Sequence, residues 1–238
     1  MAFAPAYPHG SPQPIADDVF VVRGSIKMNP IIRISRNMVV IRHGGELTLV
    51  NPIRLSGGGL AELDGLGKVT NLLRLGAFHG LDDPFYMQRY QPTFWSQTGG
   101  TTYTKPNIDR ELSEGCELPF PGATFFAFEG TIQPEGAIVL DKGAGLLLTT
   151  DAIQHYGDFS YSNFPARVML PLLGFSKTTL VGPIWLKFMT PEGASLKDNF
   201  TRLLQLPFDS VVAAHGTLLA DGGHAATTRA VQKAFSGA

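Results

Sequence analysis

The chain has 238 residues, 44% of them hydrophobic and 16% charged, with a formal net charge of −1; this fits one large domain with a sizeable core. There is no run of Lys or Arg, no acidic tail and no apolar run near the roughly 18 residues that span a bilayer, so a small-molecule substrate or ligand is expected, and neither nucleic acid nor membrane. A lone cysteine, Cys116, excludes an intrachain disulfide framework, and the opening "MAFAPAYPHGSPQPIADD" has no basic stretch leading an apolar one, so a cytoplasmic location is expected.

Residues 1–16 are Pro-rich and read as an extended N-terminal arm; residues 17–238 read as a single domain. Strand-like runs follow at 19–24, 30–35, 37–43 and 46–53, the last two joined by the turn signal "HGGE". "SGGGLAELDGLG" lacks the Gly-Lys-Ser/Thr ending of a phosphate loop and reads as a short helix with Leu60 and Leu63 facing inward. Further strands are expected at 68–76, 92–97, 123–130, 136–143 and 145–153, with "DKGAG" as a tight turn. Residues 157–193, rich in aromatics, Pro and Gly, carry no clear period and suit a lid or a partner surface. "SLKDNFTRLLQL" reads as an amphipathic helix with Leu196, Phe200, Leu203 and Leu204 on one face and Ser195 with Asp198 as a capping box. A buried strand at 209–216 and a closing helix at 224–235 complete the chain.

Three strand ends carry metal-competent side chains. "GAFHGLDDPFY" supplies His79, Asp82 and Asp83, "LLLTT" leads into Asp151, and "VVAA" leads into His215. Alone, an Asp at a strand end is commonly a cap or turn residue, and a His after a buried strand is commonly a hydrogen-bonded structural residue. Together, at strand ends of an α/β chain, they point to a mixed imidazole–carboxylate site suited to zinc, iron or manganese. His155 is a possible replacement ligand if a helix starts at Asp151. Glu129, Tyr156 and Asp158 are further site-proximal candidates, His224 reads as structural, and Cys116 has no evident His partner.

From about residue 18 to 236 this order resembles the metallo-β-lactamase superfamily: strand, Gly-rich helix, strand, His-x-x-x-Asp, strand-turn-strand-Asp, strand-His-Gly, helix. The family hallmark His-x-His-x-Asp-His reads here as His79-Gly80-Leu81-Asp82-Asp83-Pro84. Asp151 falls on the bridging carboxylate, His215 on the last ligand, and Ile132 stands where the hairpin His would be. The resemblance implies an α/β fold, a four-layer αββα sandwich, and a metal set of His79, Asp83, Asp151 and His215, with His79 and Asp83 closest to the chemistry. One of the family's two metal positions keeps only His79 and Asp151; the other keeps Asp83, Asp151 and His215. The expectation is therefore one transition-metal ion (zinc, iron or manganese) or none. It would sit in the second position, with His79 as fourth ligand or acid/base. Leu81 and Ile132 are expected to make the vacated position apolar. Pro84 also allows a structural reading of Asp83 as a helix N-cap.

Two functions stay open at this level: a metal-dependent hydrolase of an ester, thioester, lactone or phosphoester, and a catalytically silent relative that binds a small molecule or assembles as a homo-oligomer through 157–190. β-Lactam hydrolysis is not expected of such an incomplete ligand set.

Overall fold

Alternation along the strands sets the layers. The structure is a computed structural model that describes residues 3–236. In the first half, strands β1 (Gln13–Ala16), β2 (Val19–Lys27), β3 (Arg33–His43), β4 (Glu46–Val50), β5 (Lys68–Arg74), β6 (Thr93–Ser96) and β7 (Arg110–Glu111) form one seven-stranded sheet in sequence order. Pairing is antiparallel from β1 to β4 and parallel from β4 to β7. In the second half, β8 (Ala123–Ala127), β9 (Gly136–Leu140), β10 (Leu146–Thr149) and β13 (Ser210–Ala213) form a four-stranded sheet in the order β13-β10-β9-β8. A short antiparallel pair, β11 (Ile153–His155) with β12 (Thr179–Val181), lies beyond it.

Side chains alternate across each strand, so each sheet feeds two cores. Val39, Ile41 and Leu73 of the first sheet pack against Ile138, Leu148 and Val212 of the second. Their neighbours Met38, Val40 and Leu72 face outward under Leu60 and Leu63 of α1 (Gly57–Leu66) and Tyr86 of α2 (Asp83–Tyr90). On the far side, Leu147 and Val211 pack against Trp185 of α4 (Pro183–Met189), Phe200 of α5 (Lys197–Leu203) and Val231 of α6 (Gly223–Ala234). The result is helix, sheet, sheet, helix: the expected αββα sandwich.

The His43–Glu46 connection is a two-residue turn in which Gly44 and Gly45 take φ of 59° and 82°, values that suit glycine at both central positions. Several expected boundaries shift. Residues 33–43 form one continuous strand, because Arg36 and Asn37 keep their pairing with β2 despite their polarity. Residues 30–32 belong instead to a turn, where the Asn29 side chain accepts the N–H groups of Ile31 and Ile32. The end of the N-terminal arm is the edge strand β1. The capping box does not form: α5 starts at Lys197, and Ser195 Oγ accepts from Lys197 N at 3.3 Å. The unassigned aromatic segment contains α3 (Phe164–Leu172), β12 and α4. Among the described residues, no helix is long and apolar enough to cross a membrane.

Candidate metal centre

Strands β10 and β13 run parallel, with Thr149 opposite Ala213. Asp151 and His215 each lie two residues past that pair, so register alone brings them side by side. The loop after β5 delivers His79 to the same edge. It is tied to the second sheet by Gly136 N to Leu75 O at 2.8 Å and Ala77 N to Pro134 O at 3.1 Å.

The three side chains converge. His79 Nε2 lies 2.9 Å from Asp151 Oδ2, and His215 Nε2 lies 3.3 Å from Asp151 Oδ1. The imidazole centroids are 5.4 Å apart, and one candidate ligand atom from each of the three residues lies within 4.8 Å of the others. Strand β3 fixes the orientation of His215. Its Nδ1 lies 2.6 Å from the Ser35 carbonyl, which can only accept, so Nδ1 carries the proton and Nε2 presents its lone pair. Ser35 Oγ accepts from Gly216 N, and Asn37 Nδ2 donates to Ala213 O. Gly216, at φ 85°, packs so close to the His155 carbonyl that a Cβ has no room.

Further buried groups surround the trio. Arg36 Nη2 donates to the His79 carbonyl at 2.9 Å. Gln154 Nε2 donates to Asp151 Oδ1 at 3.2 Å, and Tyr156 OH donates to Gln154 Oε1 at 2.8 Å. Glu135, wholly buried, accepts from Asp151 N at 3.3 Å. Burial pushes the Glu135 carboxyl well up and favours its neutral form. Burial also lowers His215, and burial with Arg36 nearby lowers His79 to about 4, so both imidazoles are neutral at pH 7. Burial alone would raise Asp151, but the charge of the His79 and His215 rings once acid protonates them, the His79 hydrogen bond and Arg36 outweigh it, so the carboxyl stays below its usual range and is ionised at pH 7. Two neutral imidazoles and one carboxylate are the protonation states that a first-row transition ion requires. His79 Nε2 faces the Asp151 carboxylate, which can only accept, so Nε2 carries the ring proton and the buried, unpartnered Nδ1 holds the lone pair; an ion at Nε2 would take the place of that proton. The three residues therefore fit a metal ion.

Asp83 is not among them. Where the expected set joins it to Asp151 and His215, Asp83 opens α2, is fully buried, and its Oδ2 lies 3.4 Å from Arg74 Nη1. The candidate centre thus takes His79 and His215 on either side of Asp151. Asp82, not Asp83, is the N-cap of α2, and its carboxylate accepts from Arg54 N at 3.0 Å. Leu81, Ile132 and Pro84, which stand at the three missing ligand positions, are all exposed. His155 lies on a strand with Nδ1 2.9 Å from Thr179 Oγ1, outside the trio. Glu129 and Asp158 pair with Arg202 and Arg23, and His224 Nε2 lies 2.9 Å from the Leu204 carbonyl.

Arg36, Arg74 and Glu135 were not singled out from sequence. The signal was present: a charged residue inside the apolar runs "IRISRNMVV", "NLLRLG" and "PEGAIVL" is seldom left buried without a partner. Asp83 allows a direct check on this network. Burial raises its carboxyl to about 7, with Arg74 and Arg36 opposing. The folded chain then holds this proton up to about pH 7, whereas the unfolded side chain releases it near the usual value of about 4. Its contribution to stability falls as pH rises through that window. His79 works the other way: with its folded value near 4, its contribution is lost as pH falls from about 6.5 to 4. Asp83→Asn removes the first effect and unmasks the second. Urea midpoints of Asp83→Asn are expected to climb more steeply than wild type between about pH 4 and 7, the difference reaching a few kcal/mol at about 1.4 kcal/mol per pKa unit. Parallel profiles would contradict the assignment.

No family model matches the sequence, and no curated protein matches it. Solved structures do. The FIM-1 metallo-β-lactamase from Pseudomonas aeruginosa in its mono-zinc form shares 11% identity at a TM-score of 0.64, over 96% of this chain and 97% of that one. The metallo-β-lactamase from Pontibacter korlensis shares 12% at 0.61, over 93% and 98%. That from Hirschia baltica shares 12% at 0.59, over 95% and 98%. The chain has the metallo-β-lactamase fold across nearly its whole length, and at these identities the likeness concerns the fold.

Proposed function

We propose that the chain is a metal-dependent hydrolase with one ion held by His79, Asp151 and His215, acting on an ester, thioester, lactone or phosphoester of a small molecule. The observation that carries this reading is the convergence of three ligand-competent atoms from three strand ends, in the protonation states an ion requires. An ion held by these three residues would polarise a carbonyl or phosphoryl oxygen and lower the pKa of water. Asp151, with its side chain 17% exposed, is the most accessible of the three. Its carboxylate keeps lone pairs beyond those used by His79 and Gln154, with which it would orient an attacking water. Gln154 and Glu135 hold Asp151 from two sides, and Arg36 fixes the His79 backbone. Phe78 and Leu81, flanking His79 in the chain and both exposed, offer an apolar lip to the acyl part of a substrate.

A second reading, a catalytically silent small-molecule-binding protein, is favoured by one observation: both oxygens of Asp151 already have protein partners, in His79 and Gln154. Elemental analysis of protein purified without added metal, followed by assays on a β-lactam, a lactone, a thioester and a phosphodiester with zinc, manganese or iron supplied, separates the two. One ion per chain, turnover of a lactone, thioester or phosphodiester, and silence on the β-lactam are expected. No ion and no turnover would favour the binding protein, and two ions per chain would overturn the single-ion centre.

A further inference from the structure

Away from the metal centre, α3 and the β2–β3 turn form a face that is both apolar and basic. Helix α3 buries Ala166 and Leu170, yet its opposite stripe, Phe164, Val168 and Leu172, is exposed, with Phe164 78% and Leu172 82% accessible. A helix apolar on both sides has found a partner for only one of them. Leu173 continues the stripe, and Met28 and Ile31 of the β2–β3 turn are exposed beside it. The two elements are stitched together: Asn163, the N-cap of α3, donates to Ile31 O at 2.7 Å and from its backbone to Arg33 O at 3.0 Å.

The two stretches of chain that build this face carry charges of one sign, and Asp158, at the border of the second, is paired with Arg23. No Asp or Glu occurs between Asp18 and Glu46, or between Asp158 and Glu192, although the whole chain is nearly neutral. Lys27, Arg33, Arg167 and Lys177 belong to these stretches, and none forms an ion pair among the described residues. Lys27 and Arg33 stand directly opposite each other across β2 and β3, and Arg33 Nε is buried without a hydrogen-bond partner. Like charges in such a cross-strand pair destabilise a sheet unless an anion faces them.

We propose that this face docks peripherally on an anionic lipid bilayer, the apolar side chains entering the interface and the cations meeting lipid headgroups. Protruding apolar residues framed by cations suit a surface with an apolar interior and a negative skin. A second copy suits it less, because a symmetric contact would set these cations against one another. The absence of a long apolar helix concerns crossing a bilayer and has no bearing on lying upon one.

Flotation of the full chain with vesicles of phosphatidylcholine, and with vesicles of equal phosphatidylcholine and phosphatidylglycerol, tests this. Recovery with the anionic vesicles alone is expected, weakening as salt rises. In Lys27→Gln/Lys177→Gln, each lost cation should weaken binding about fivefold. Phe164→Ser/Leu172→Ser should weaken it more than about tenfold, and circular dichroism of both variants should match wild type, since the altered side chains are exposed. Failure to float with anionic vesicles, equal flotation with both vesicles, or variants that float like wild type would overturn the proposal. Self-association lost in Phe164→Ser/Leu172→Ser, without flotation of wild type, would assign the face to a second copy instead.

Discussion

Asp151→Asn is expected to lower metal affinity at least about a hundredfold while leaving the fold intact. Asp151 is the only anionic member of the trio and touches both imidazoles. Changing even an outer partner of a metal ligand typically costs 10–100-fold in affinity, about 1.4–2.7 kcal/mol, and removing the one ligand charge should cost no less. The fold should survive because asparagine keeps the shape. Its carbonyl can accept from His79 Nε2, and its amide can donate to the lone pair of His215 Nε2, whose Nδ1 proton is committed to Ser35. Two readouts check this. Zinc titration should give one site in wild type and a much weakened one in Asp151→Asn. Added zinc should raise the wild-type melting midpoint by mass action and scarcely move that of the variant. If both proteins respond alike, the ion is held elsewhere.

The parts of the site legible in sequence are those fixed by strand register. Asp151 and His215 follow short buried runs, "LLLTT" and "VVAA", and two such strands paired in parallel must present their next residues together. The layer order was legible for the same reason: two-residue alternation separates Met38 and Val40 from Val39 and Ile41 without reference to anything distant. Asp83 was not legible, because its direction depends on Arg74 and Arg36, on strands β5 and β3, which offer its carboxylate a cation beneath α2. The exposure of Leu81 and Ile132 was not legible for a related reason. Loop residues have no period from which to read a face, and both turned out exposed. Segment 157–193 resisted assignment because α3 is apolar on both sides, β12 has three residues and α4 seven, too few to show a repeat.

Their exposure changes what restoring the family ligands should cost. Leu81→His, Pro84→His and Ile132→His would place polar groups where water already reaches, so the desolvation penalty expected for buried positions does not arise. Whether the new imidazoles could reach an ion depends on loops 77–82 and 128–135, whose backbone is pinned at Ile132 by the Met189 carbonyl.

The largest effect on stability should come from Arg36. Arg36 is 2% exposed, and Asp82, Asp151 and Asp83 all act on its charge. Burial lowers its pKa, with those carboxylates opposing, and its Nη2 holds the His79 carbonyl. Arg36→Met keeps much of the volume but leaves the Asp82 and Asp151 carboxyls without a cation that favours their charged forms and a buried carbonyl without its donor. Breaking a buried charge cluster by removing one member typically costs about 3–5 kcal/mol, whereas neutralising both sides is far milder. Urea unfolding of Arg36→Met is therefore expected to show a loss of about that size with an unchanged slope, and Arg36→Met/Asp82→Asn should recover part of it. Zinc should help this variant more than wild type, because a dication at the trio would supply positive charge beside Asp151 that the guanidinium no longer gives. Equal stability of Arg36→Met and wild type would mean that the carboxylates are neutralised without Arg36, and equal stabilisation by zinc would mean that the trio and Arg36 do not share a field.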